Sequence, residues 1–451
     1  MSTSLFDEFQ KTTPAAWKQK IQVDLEGEDY NGTLLWKTDE GIIVKPFYTK
    51  EDRTHCKITT QKKGFNICQT IFIDDEKIAN SLAKNALKKG ANAIQFIAKK
   101  PFNCGILLKE IDLKTTILYF KFHFLSPVFI VDLSKLTNPN KTYFQTDIIG
   151  NLAETGNWFH NLKEDFNKLN TLQKSTKNCI SVSNDLYQNS GATITQQLAY
   201  TLAHANEYLH EFGVDVVEKI HFSFAVGSNY FFEIAKLRAF RILWATLLKE
   251  YDSEDIAATI FVQPSLRNKT LYDYNVNLLR TTTECMSAIL GGATTISNVS
   301  YDHLYHKSNE FGERISRNQL LILQQESALK EAQNAVEGAY YIESITQQLA
   351  ENALTLFKQI EKSGGFLKQL KAGSIQKKIS ESAAKEENNL NSKNIVLLGT
   401  NLHVNKEDTM KHDLHLYPFL KKRNIKTLIP PINRKRLSET IEKERLAQEN
   451  E

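Results

Sequence analysis

The stretch His221–Lys249, HFSFAVGSNYFFEIAKLRAFRILWATLLK, has the pattern of a strand, a turn and a helix. Its strand candidate, Ile220–Phe224, is an apolar run of strand length. Gly227 allows the backbone to reverse, and Ser228 or Asn229 is placed to cap the helix that follows. We therefore predict a strand-turn-helix unit of the kind that builds α/β folds.

The predicted helix, Tyr230–Lys249, is apolar nearly all the way round. Its large apolar side chains are Phe231, Phe232, Ile234, Leu237, Phe240, Ile242, Leu243, Trp244, Leu247 and Leu248. One amphipathic face cannot hold all of them, so the helix must be covered on more than one side. The cover comes either from the rest of this chain or from another chain.

The charges inside this helix are few and lie within reach of one another. Glu233 and Lys236 are three residues apart, as are Arg238 and Arg241, and residues at that spacing meet on a helix surface. One explanation is that they are satisfied at a packing contact, since buried charge is tolerated only when it is paired. The other is an anion site for a phosphate-bearing ligand.

Composition excludes several classes of protein. With 451 residues, 24% charged residues and a net charge of +4, the chain is typical of a globular protein and too weakly basic to predict a nucleic-acid partner. It has no apolar run of the ~20 residues that span a bilayer, and its N-terminus lacks signal-peptide features. We therefore expect a cytoplasmic protein without a membrane partner.

The cysteines are scattered singly and form no CxxC pair, which argues against a disulfide framework or a structural zinc site. We expect them to be buried thiols. They are Cys56, Cys68, Cys104, Cys179 and Cys285.

Short apolar runs alternate with helical patterns through the centre of the chain, which predicts a parallel sheet with crossover helices. The repeated rhythm favours a (β/α)8 barrel over an open sheet. The predicted strands are Ala93–Ile97, Thr116–Phe120, Val128–Val131, Ile180–Val182, Ile220–Phe224, Ala258–Val262 and Ala293–Ser297. The other predicted helices include Ile78–Lys89, Thr193–Glu211, Gly312–Gln333 and Glu343–Lys362.

Two extensions flank the predicted barrel of residues 51–385. Residues 1–50 are expected to form an arm in which Phe6, Phe9 and Trp17 are aromatic anchors. Residues 386–451 are expected to form a C-terminal extension with a basic helix.

Several strings resemble the methylmalonyl-CoA mutase family. They are FFEIAKLRAFRILW, LLWKTDEGIIVKPFYTKED, RISRNQLLILQQES, GAYYIESITQQLAENALTLFKQIEKSGGF and INRKRLSETIEKERLAQENE, and together they extend over most of the chain. The resemblance implies a barrel and an arm that lies across a partner subunit. It also implies an isomerase activity, the interconversion of succinyl-CoA and methylmalonyl-CoA with adenosylcobalamin as cofactor.

The resemblance also shows what this chain lacks. Catalytic members hold cobalt through a histidine in an Asp-x-His-x-x-Gly motif, followed by a flavodoxin-like domain. The only similar string here runs from Asp413 through His415 to Pro418, with proline in place of the glycine and 33 residues after it. We expect no cobalamin or metal to be bound by this chain, and we interpret Asp413 and His415 as surface or packing residues.

The family's acid-base positions have changed as well. Ser181–Ala192 resembles S-I-S-G-Y-H-x-x-E-A-G-A, in which a tyrosine and a histidine stand over the substrate, but here that pair is Asp185 and Leu186. Leucine cannot donate a hydrogen bond or carry a proton. Tyr272 stands at a glutamine position and Ser297 at a histidine position of the family.

Further sequence features agree with lost catalysis. The loop T-I-R-Q-Y-A-G-F of catalytic members has no counterpart between Thr49 and Phe96. Glu233, Lys236 and Arg238 of the family signature are expected to be structural.

The resemblance therefore implies a non-catalytic subunit of a heterodimeric mutase, whose large catalytic subunit binds adenosylcobalamin. This hypothesis predicts a barrel axis blocked by side chains such as Leu186 and Tyr272. Two alternatives stay open, a stand-alone acyl-CoA-binding barrel with other chemistry and a homodimeric scaffold or chaperone-associated protein. Whether the former substrate channel still holds CoA is also open.

Overall fold

The computed structural model describes residues 6, 8–10, 12–53, 58, 64–331, 334–421 and 425–449. Its strands are β1 Trp36–Lys37, β2 Ile43–Val44, β3 Asn66–Phe72, β4 Ala93–Ala98, β5 Ile117–Phe122, β6 Thr142–Phe144, β7 Ile180–Ser183, β8 Ile220–Val226, β9 Ile260–Pro264 and β10 Thr295–Ile296. Strands β1 and β2 form an antiparallel hairpin, and the other eight form a single parallel sheet.

The helices of the first half are α1 Pro14–Asp24, α2 Tyr30–Leu34, α3 Glu76–Lys88, α4 Cys104–Leu107, α5 Pro127–Leu136, α6 Ile148–Thr155, α7 Leu162–Ser175 and α8 Asn184–Asn189. Those of the second half are α9 Ile194–Phe212, α10 Tyr230–Glu250, α11 Val276–Leu290, α12 Glu310–Leu321, α13 Tyr340–Lys362, α14 Phe366–Lys371, α15 Ser374–Asn391 and α16 Glu439–Gln448. Short 3₁₀ segments span Lys50–Asp52, Val214–Lys219 and Leu329–Glu331.

The eight-stranded sheet closes on itself. Its strand order is β6-β5-β4-β3-β10-β9-β8-β7, and every pair is parallel. The two end strands meet through backbone hydrogen bonds, because the Phe144 N–H donates to the Asn178 carbonyl at 2.9 Å and the Ser181 N–H to the Thr146 carbonyl at 2.9 Å. The predicted (β/α)8 barrel is confirmed.

Helix α10 is buried by its own chain. It packs against α9, α11 and α13, and most of its residues are buried. Phe231, in the first turn, is the large apolar side chain left exposed, at 48%. Of the two explanations for its apolar surface, burial within this chain is therefore the one observed. Asn229 stands at the N-cap position, but its side chain makes no capping hydrogen bond.

Some predicted elements were wrong or missed. The strand predicted at Val128–Val131 is part of helix α5, because a short apolar run fits either element and Pro127 pre-organises a helical first turn. Strands β3 and β6 were missed. The helix predicted over Gly312–Gln333 ends at Leu321 and gives way to a π-helix over Ile322–Glu326.

The arm divides into two parts. From Tyr30 onward it packs on the barrel, with Tyr30 and Ile42 buried. The Glu40 carboxylate accepts the Ile194 and Thr195 N–H groups, each at 2.7 Å, and so satisfies free donors at the start of α9. Helix α1 has no buried residue.

The C-terminal region continues directly from the barrel helices. Helix α15 crosses the predicted boundary at residue 385, and the basic run 434–436 precedes α16. Cys68, Cys179 and Cys285 are buried as expected, whereas Cys104 is only half-buried and Cys56 lies outside the described residues. Among the described helices none has the length and apolar character needed to cross a bilayer.

Candidate functional site

The carboxyl ends of the barrel strands converge at one mouth, which is where barrel enzymes place their catalytic groups. The segments that follow β6, β7, β8, β9 and β10 all begin there. Asp185 and Leu186 follow β7, and Ser297 follows β10, so these positions lie near the mouth.

Aromatic side chains fill the lower part of the axis. The Tyr119 hydroxyl donates to Thr295 Oγ1 at 2.9 Å, although β5 and β10 are not neighbouring strands, so this bond crosses the interior. The Tyr119 ring stacks on Tyr143 with centroids 4.8 Å apart and meets Phe261 at 4.8 Å. The ring centroids of His221 and Tyr143 are 5.4 Å apart. Tyrosine and phenylalanine therefore occupy the space through which a ligand would have to pass.

A chain of amides and hydroxyls crosses the barrel above them. Ser297 Oγ lies 2.8 Å from Thr70 Oγ1, which donates to Gln95 Oε1 at 2.7 Å. Gln95 Nε2 donates to Gln145 Oε1 at 2.6 Å, and Gln145 Nε2 donates to Ser223 Oγ at 3.1 Å. Ser297 is thus one end of an internal network, and its hydroxyl is already engaged. These hydrogen bonds satisfy the polar side chains of the interior, whose burial would otherwise cost free energy, and they hold those side chains in place.

At the mouth, Asp185 forms an ion pair. Arg434 Nη1 donates to Asp185 Oδ2 at 2.8 Å, and Arg434 Nε donates to Glu154 Oε1 at 2.8 Å. Burial alone would raise the pKa of Glu154, but the charges of Arg434 and Lys121 outweigh it and lower that pKa to about 2. Burial alone would lower the pKa of Arg434, but the two carboxylates raise it. Asp185, which the resemblance aligns with a tyrosine of the family, therefore binds Arg434 from the C-terminal region of the same chain.

Leu186 is fully buried in the main hydrophobic core. The next residue, Tyr187, hydrogen-bonds through its hydroxyl to His204 Nδ1 at 3.0 Å. His204 Nε2 lies 3.0 Å from Asp147 Oδ1, which also accepts the Tyr208 hydroxyl at 2.8 Å. Sequence patterns could not reveal this cluster, because its members come from three elements and only His204 and Tyr208, four residues apart on α9, share a local spacing. All of it is buried, so it connects α8 and the C-terminal half of α9 to the start of α6.

Tyr272 packs against the C-terminal region, away from the strands. It belongs to a cluster with Tyr305, Met410 and Phe419. Its hydroxyl donates to Glu449 Oε1 at 2.6 Å, and the Arg445 guanidinium lies 3.9 Å from its ring centroid. Burial raises the pKa of this hydroxyl, and Glu449 adds to the effect. Leu186 and Tyr272 were expected to block the barrel axis, and this expectation was wrong. Both side chains are buried, but neither lies on a barrel strand, and Tyr119, Tyr143 and Phe261 fill the axis instead.

The charged side chains of α10 make ion pairs and hydrogen bonds to neighbouring elements of the barrel. Lys236 Nζ contacts Glu233 Oε2 at 2.5 Å and donates to Gln188 Oε1, Gln197 Oε1 and the Ala225 carbonyl at 2.7, 3.1 and 2.7 Å. Burial lowers the pKa of Lys236, while the charge of Glu233 opposes that shift. The lysine therefore joins α10 to β8, α8 and α9.

The two arginines of α10 differ from each other. Arg241 donates to the Ala258 and Gly292 carbonyls at 2.8 and 2.5 Å, and burial lowers its pKa to about 10. Arg238 is only 3% exposed, its Nε has no hydrogen-bond partner, and burial lowers its pKa. The charge of Glu343 partly offsets that shift.

The residues of the cobalt-motif string do not fit a corrinoid ligand. The His415 ring stacks on that of His306 with centroids 4.5 Å apart, and the backbone N–H of His415 donates to the Tyr305 carbonyl at 2.8 Å. His306 Nδ1 in turn lies 3.2 Å from Asp302 Oδ2. Within the described part of the chain, no three histidine, cysteine or acidic side chains are grouped so that they could hold a metal ion.

A segment that we call the strap, Ile425–Leu437, crosses the mouth. Leu428 N–H donates to the Gly156 carbonyl at 2.9 Å and Ile432 N–H to the Ala153 carbonyl at 2.7 Å, both at the end of α6. Lys435 N–H donates to the Asn189 carbonyl at 3.0 Å, and Leu437 N–H to the Arg267 carbonyl at 2.7 Å. The strap therefore joins the segments that follow β6, β7 and β9.

A cavity of about 890 Å³ lies between the strap and the mouth. Apolar side chains and cations line it together, but the strap's basic run is neutralised within the chain. Lys435 Nζ pairs with Glu387 at 2.6 Å, and Arg436 pairs with Glu442. The INRKRL string could have indicated this arrangement, had it been interpreted as a strap instead of a helix.

Comparisons with known proteins agree on one family. The family described as Methylmalonyl-CoA mutase matches residues 128–447. The chain is 31% identical to the methylmalonyl-CoA mutase small subunit of Porphyromonas gingivalis, over 99% of this chain and 78% of that one. The large subunit of the same organism is 34% identical, over 51% of this chain and 34% of its own length. A dihydropteroate synthase structure from Yersinia pestis aligns with 58% of this chain and 93% of that one at 12% identity, with a TM-score of 0.32, too low to carry an argument.

Proposed function

The chain belongs to the methylmalonyl-CoA mutase family, and from this premise we propose that it is the small, non-catalytic subunit of a heterodimeric mutase. In this proposal a large subunit binds adenosylcobalamin and interconverts succinyl-CoA and methylmalonyl-CoA. This chain supports that subunit structurally. The observation that carries the proposal is the engagement of Asp185 by Arg434 at the position where the family resemblance expects a substrate-facing tyrosine.

The chemistry of the mouth supports a non-catalytic role. Polarisation of a thioester carbonyl needs a group that donates a hydrogen bond or a proton at the carbonyl oxygen. The Asp185 carboxylate faces an arginine, Leu186 has no polar atom, and the Ser297 hydroxyl is held by Thr70. The cofactor supplies the radical chemistry when bound, and in this proposal the large subunit holds it.

The partner is part of the proposal. The alignment covers 78% of the small-subunit relative and 34% of the large-subunit relative, so the more extensive similarity is to the small subunit. A small and a large subunit both occur in Porphyromonas gingivalis, which supports a pairing of the same kind here. The exposed aromatic side chains of the arm, Phe6, Phe9 and Trp17, are available for such a contact.

Co-expression with a large, cobalamin-binding homologue from the same source tests the proposal. The purified chain, the large subunit and their mixture would each be assayed for conversion of succinyl-CoA with added adenosylcobalamin. We expect no turnover and no cobalamin absorbance with the chain alone, and higher turnover in the mixture than with the large subunit alone. Conversion of succinyl-CoA by the chain alone would contradict the proposal.

A double variant, Asp185→Tyr with Leu186→His, provides a matched control. It restores the family's tyrosine and histidine but leaves Ser297 and the filled axis as they are. We expect the chain alone to stay inactive. Turnover by this variant alone would mean that the side chains at positions 185 and 186 are sufficient to explain the inactivity of the original chain.

The cavity at the mouth favours one alternative, a stand-alone barrel that binds acyl-CoA. Against it, Tyr119 and Phe261 fill the axis, so the pantetheine arm of CoA would have no passage through the barrel. Calorimetric titration of the isolated chain with CoA separates the two functions. Tight binding would favour the alternative, and no binding would favour the subunit.

A further inference from the structure

We propose that Arg434 is the lock that holds the strap over the barrel mouth, in a guanidinium-binding site formed by the carboxylates of Glu154 and Asp185. The mouth is then closed by the chain itself, and position 185 serves to anchor the strap. This inference rests on contacts within the chain and does not depend on the proposed subunit function.

The geometry of the site suits a guanidinium group. Arg434 donates through Nε to Glu154 and through Nη1 to Asp185, so adjacent nitrogens of one planar group reach two different acceptors, each at 2.8 Å. Glu154 belongs to α6 and Asp185 to α8, so a single side chain ties together the segments that follow β6 and β7. A lysine is a point donor without this fork and could not hold both acceptors in the same way.

Arg434 also lies where an anchor has the greatest effect. It stands between Ile432, whose N–H bonds to Ala153, and Lys435, whose N–H bonds to Asn189. Those backbone bonds are neutral, whereas both bonds of Arg434 join opposite charges and are about twice as strong. The side chains of Arg434, Asp185 and Glu154 are 26%, 13% and 39% exposed, so water screens the pair with Asp185 less than the pair with Glu154.

The two carboxylates would be poorly placed without the strap. Glu154 and Asp185 both face the same guanidinium, so its removal would leave two negative charges together at the mouth. Burial and like charge both disfavour ionised carboxylates. The lowered pKa of Glu154 agrees with a site built around a cation. The strap therefore contributes the charge that its own docking site requires.

Hydrogen exchange of the full chain tests the lock. In an Arg434→Ala variant we expect the amides of Ile432, Lys435 and Leu437 to exchange at least about tenfold faster, equivalent to about 1.4 kcal/mol. The amides of β8 and β9 should keep their rates. Lys378→Ala, which removes an exposed pair with Glu381, is the control and should leave the strap unchanged.

Chemical rescue sharpens the test. Guanidinium ion at millimolar concentration should slow strap exchange again in Arg434→Ala, whereas sodium chloride at equal ionic strength should not. Unchanged strap exchange in Arg434→Ala, or equal acceleration throughout the barrel, would overturn the lock. If that variant does not fold, Asp185→Asn keeps the side-chain shape and removes one charge. Strap exchange must then accelerate locally, and unchanged exchange would refute the proposal.

Discussion

Two helices of this chain, α10 and α1, carry large apolar side chains with opposite fates. Most of α10 is buried between α9, α11 and α13, although its sequence is apolar on all sides. Helix α1 has no buried residue, and its Trp17 is 51% exposed. The more apolar of the two helices belongs to the core, while the less apolar one presents an aromatic ring to solvent.

The comparison shows that apolar content alone does not identify a surface that binds a partner. A helix that is apolar all round signals burial, and the barrel of this chain supplies that burial without a second subunit. An exposed aromatic on an otherwise polar helix is the more informative feature, because interfaces are enriched in aromatic residues. We therefore expect substitutions in α10 to affect stability and those in α1 to affect association.

The largest effect is expected for Lys236→Met in α10. The change leaves Glu233 buried without its partner and removes the donor from Gln188, Gln197 and the Ala225 carbonyl. Breaking one side of a buried ion pair costs about 3–5 kcal/mol, and we expect about 5. Urea unfolding of the isolated chain measures it.

The double variant Lys236→Met with Glu233→Gln is the control. It removes both charges, so we expect it to recover a large part of the loss. If the double variant were no more stable than the single one, the pairing of the two charges would not be the cause.

A cavity in the core comes next. Phe240→Ala removes a ring whose centroid lies 4.6 Å from that of Phe222 and 4.9 Å from that of Phe224. Truncation of a buried phenylalanine costs about 3–5 kcal/mol, and we expect about 4. Phe231→Ala, on the same helix but 48% exposed, should cost less than about 1 kcal/mol. Equal losses in the two variants would contradict the burial of α10 by its own chain.

Sequence patterns predicted the barrel and most of its strands, because long runs buried on both faces leave a strong local signal. They failed at Val128–Val131, where four residues cannot distinguish a strand from a helix. The site could not be predicted in the same way. Arg434 meets Asp185 and Glu154 across 249 and 280 residues, so no local spacing connects them. The family resemblance located Asp185 but could not indicate that Arg434 would be its partner.

A buried histidine of the barrel, His221 in β8, should make the free energy of unfolding depend on pH. Burial lowers the pKa of His221 from 6.5 to about 3, so the folded chain keeps this ring neutral in acid while the unfolded chain protonates it. Above pH 6.5 the residue has no effect. Below it, stability should fall by up to about 1.4 kcal/mol per pH unit until about pH 3.

A His221→Phe variant removes this term. Its unfolding free energy should vary less steeply between pH 6 and pH 4 than that of the original chain, as measured by urea unfolding at each pH. His210→Phe, at an exposed position of α9, controls for the loss of a histidine. Identical slopes in the original chain and His221→Phe would argue against a buried neutral imidazole.

The smallest effect on the chain itself is expected for Trp17→Ala. Because α1 has no buried residue, the free energy of unfolding should change by less than about 0.5 kcal/mol. Affinity for the proposed large subunit should fall tenfold or more, since tryptophan at a contact often contributes about 2 kcal/mol. Titration of the two subunits measures the affinity.

Trp36→Ala is the matched control, because its exposure is also 51%. The Trp36 ring differs from that of Trp17 in meeting Phe232 of α10 edge-on, with centroids 5.8 Å apart. Its removal should therefore destabilise the isolated chain, whereas removal of Trp17 should not. If Trp17→Ala destabilised the isolated chain as much as Trp36→Ala, α1 would be part of the fold and the contrast with α10 would fail. Since exposure is equal at the two positions, contact with the core alone would explain a difference in stability.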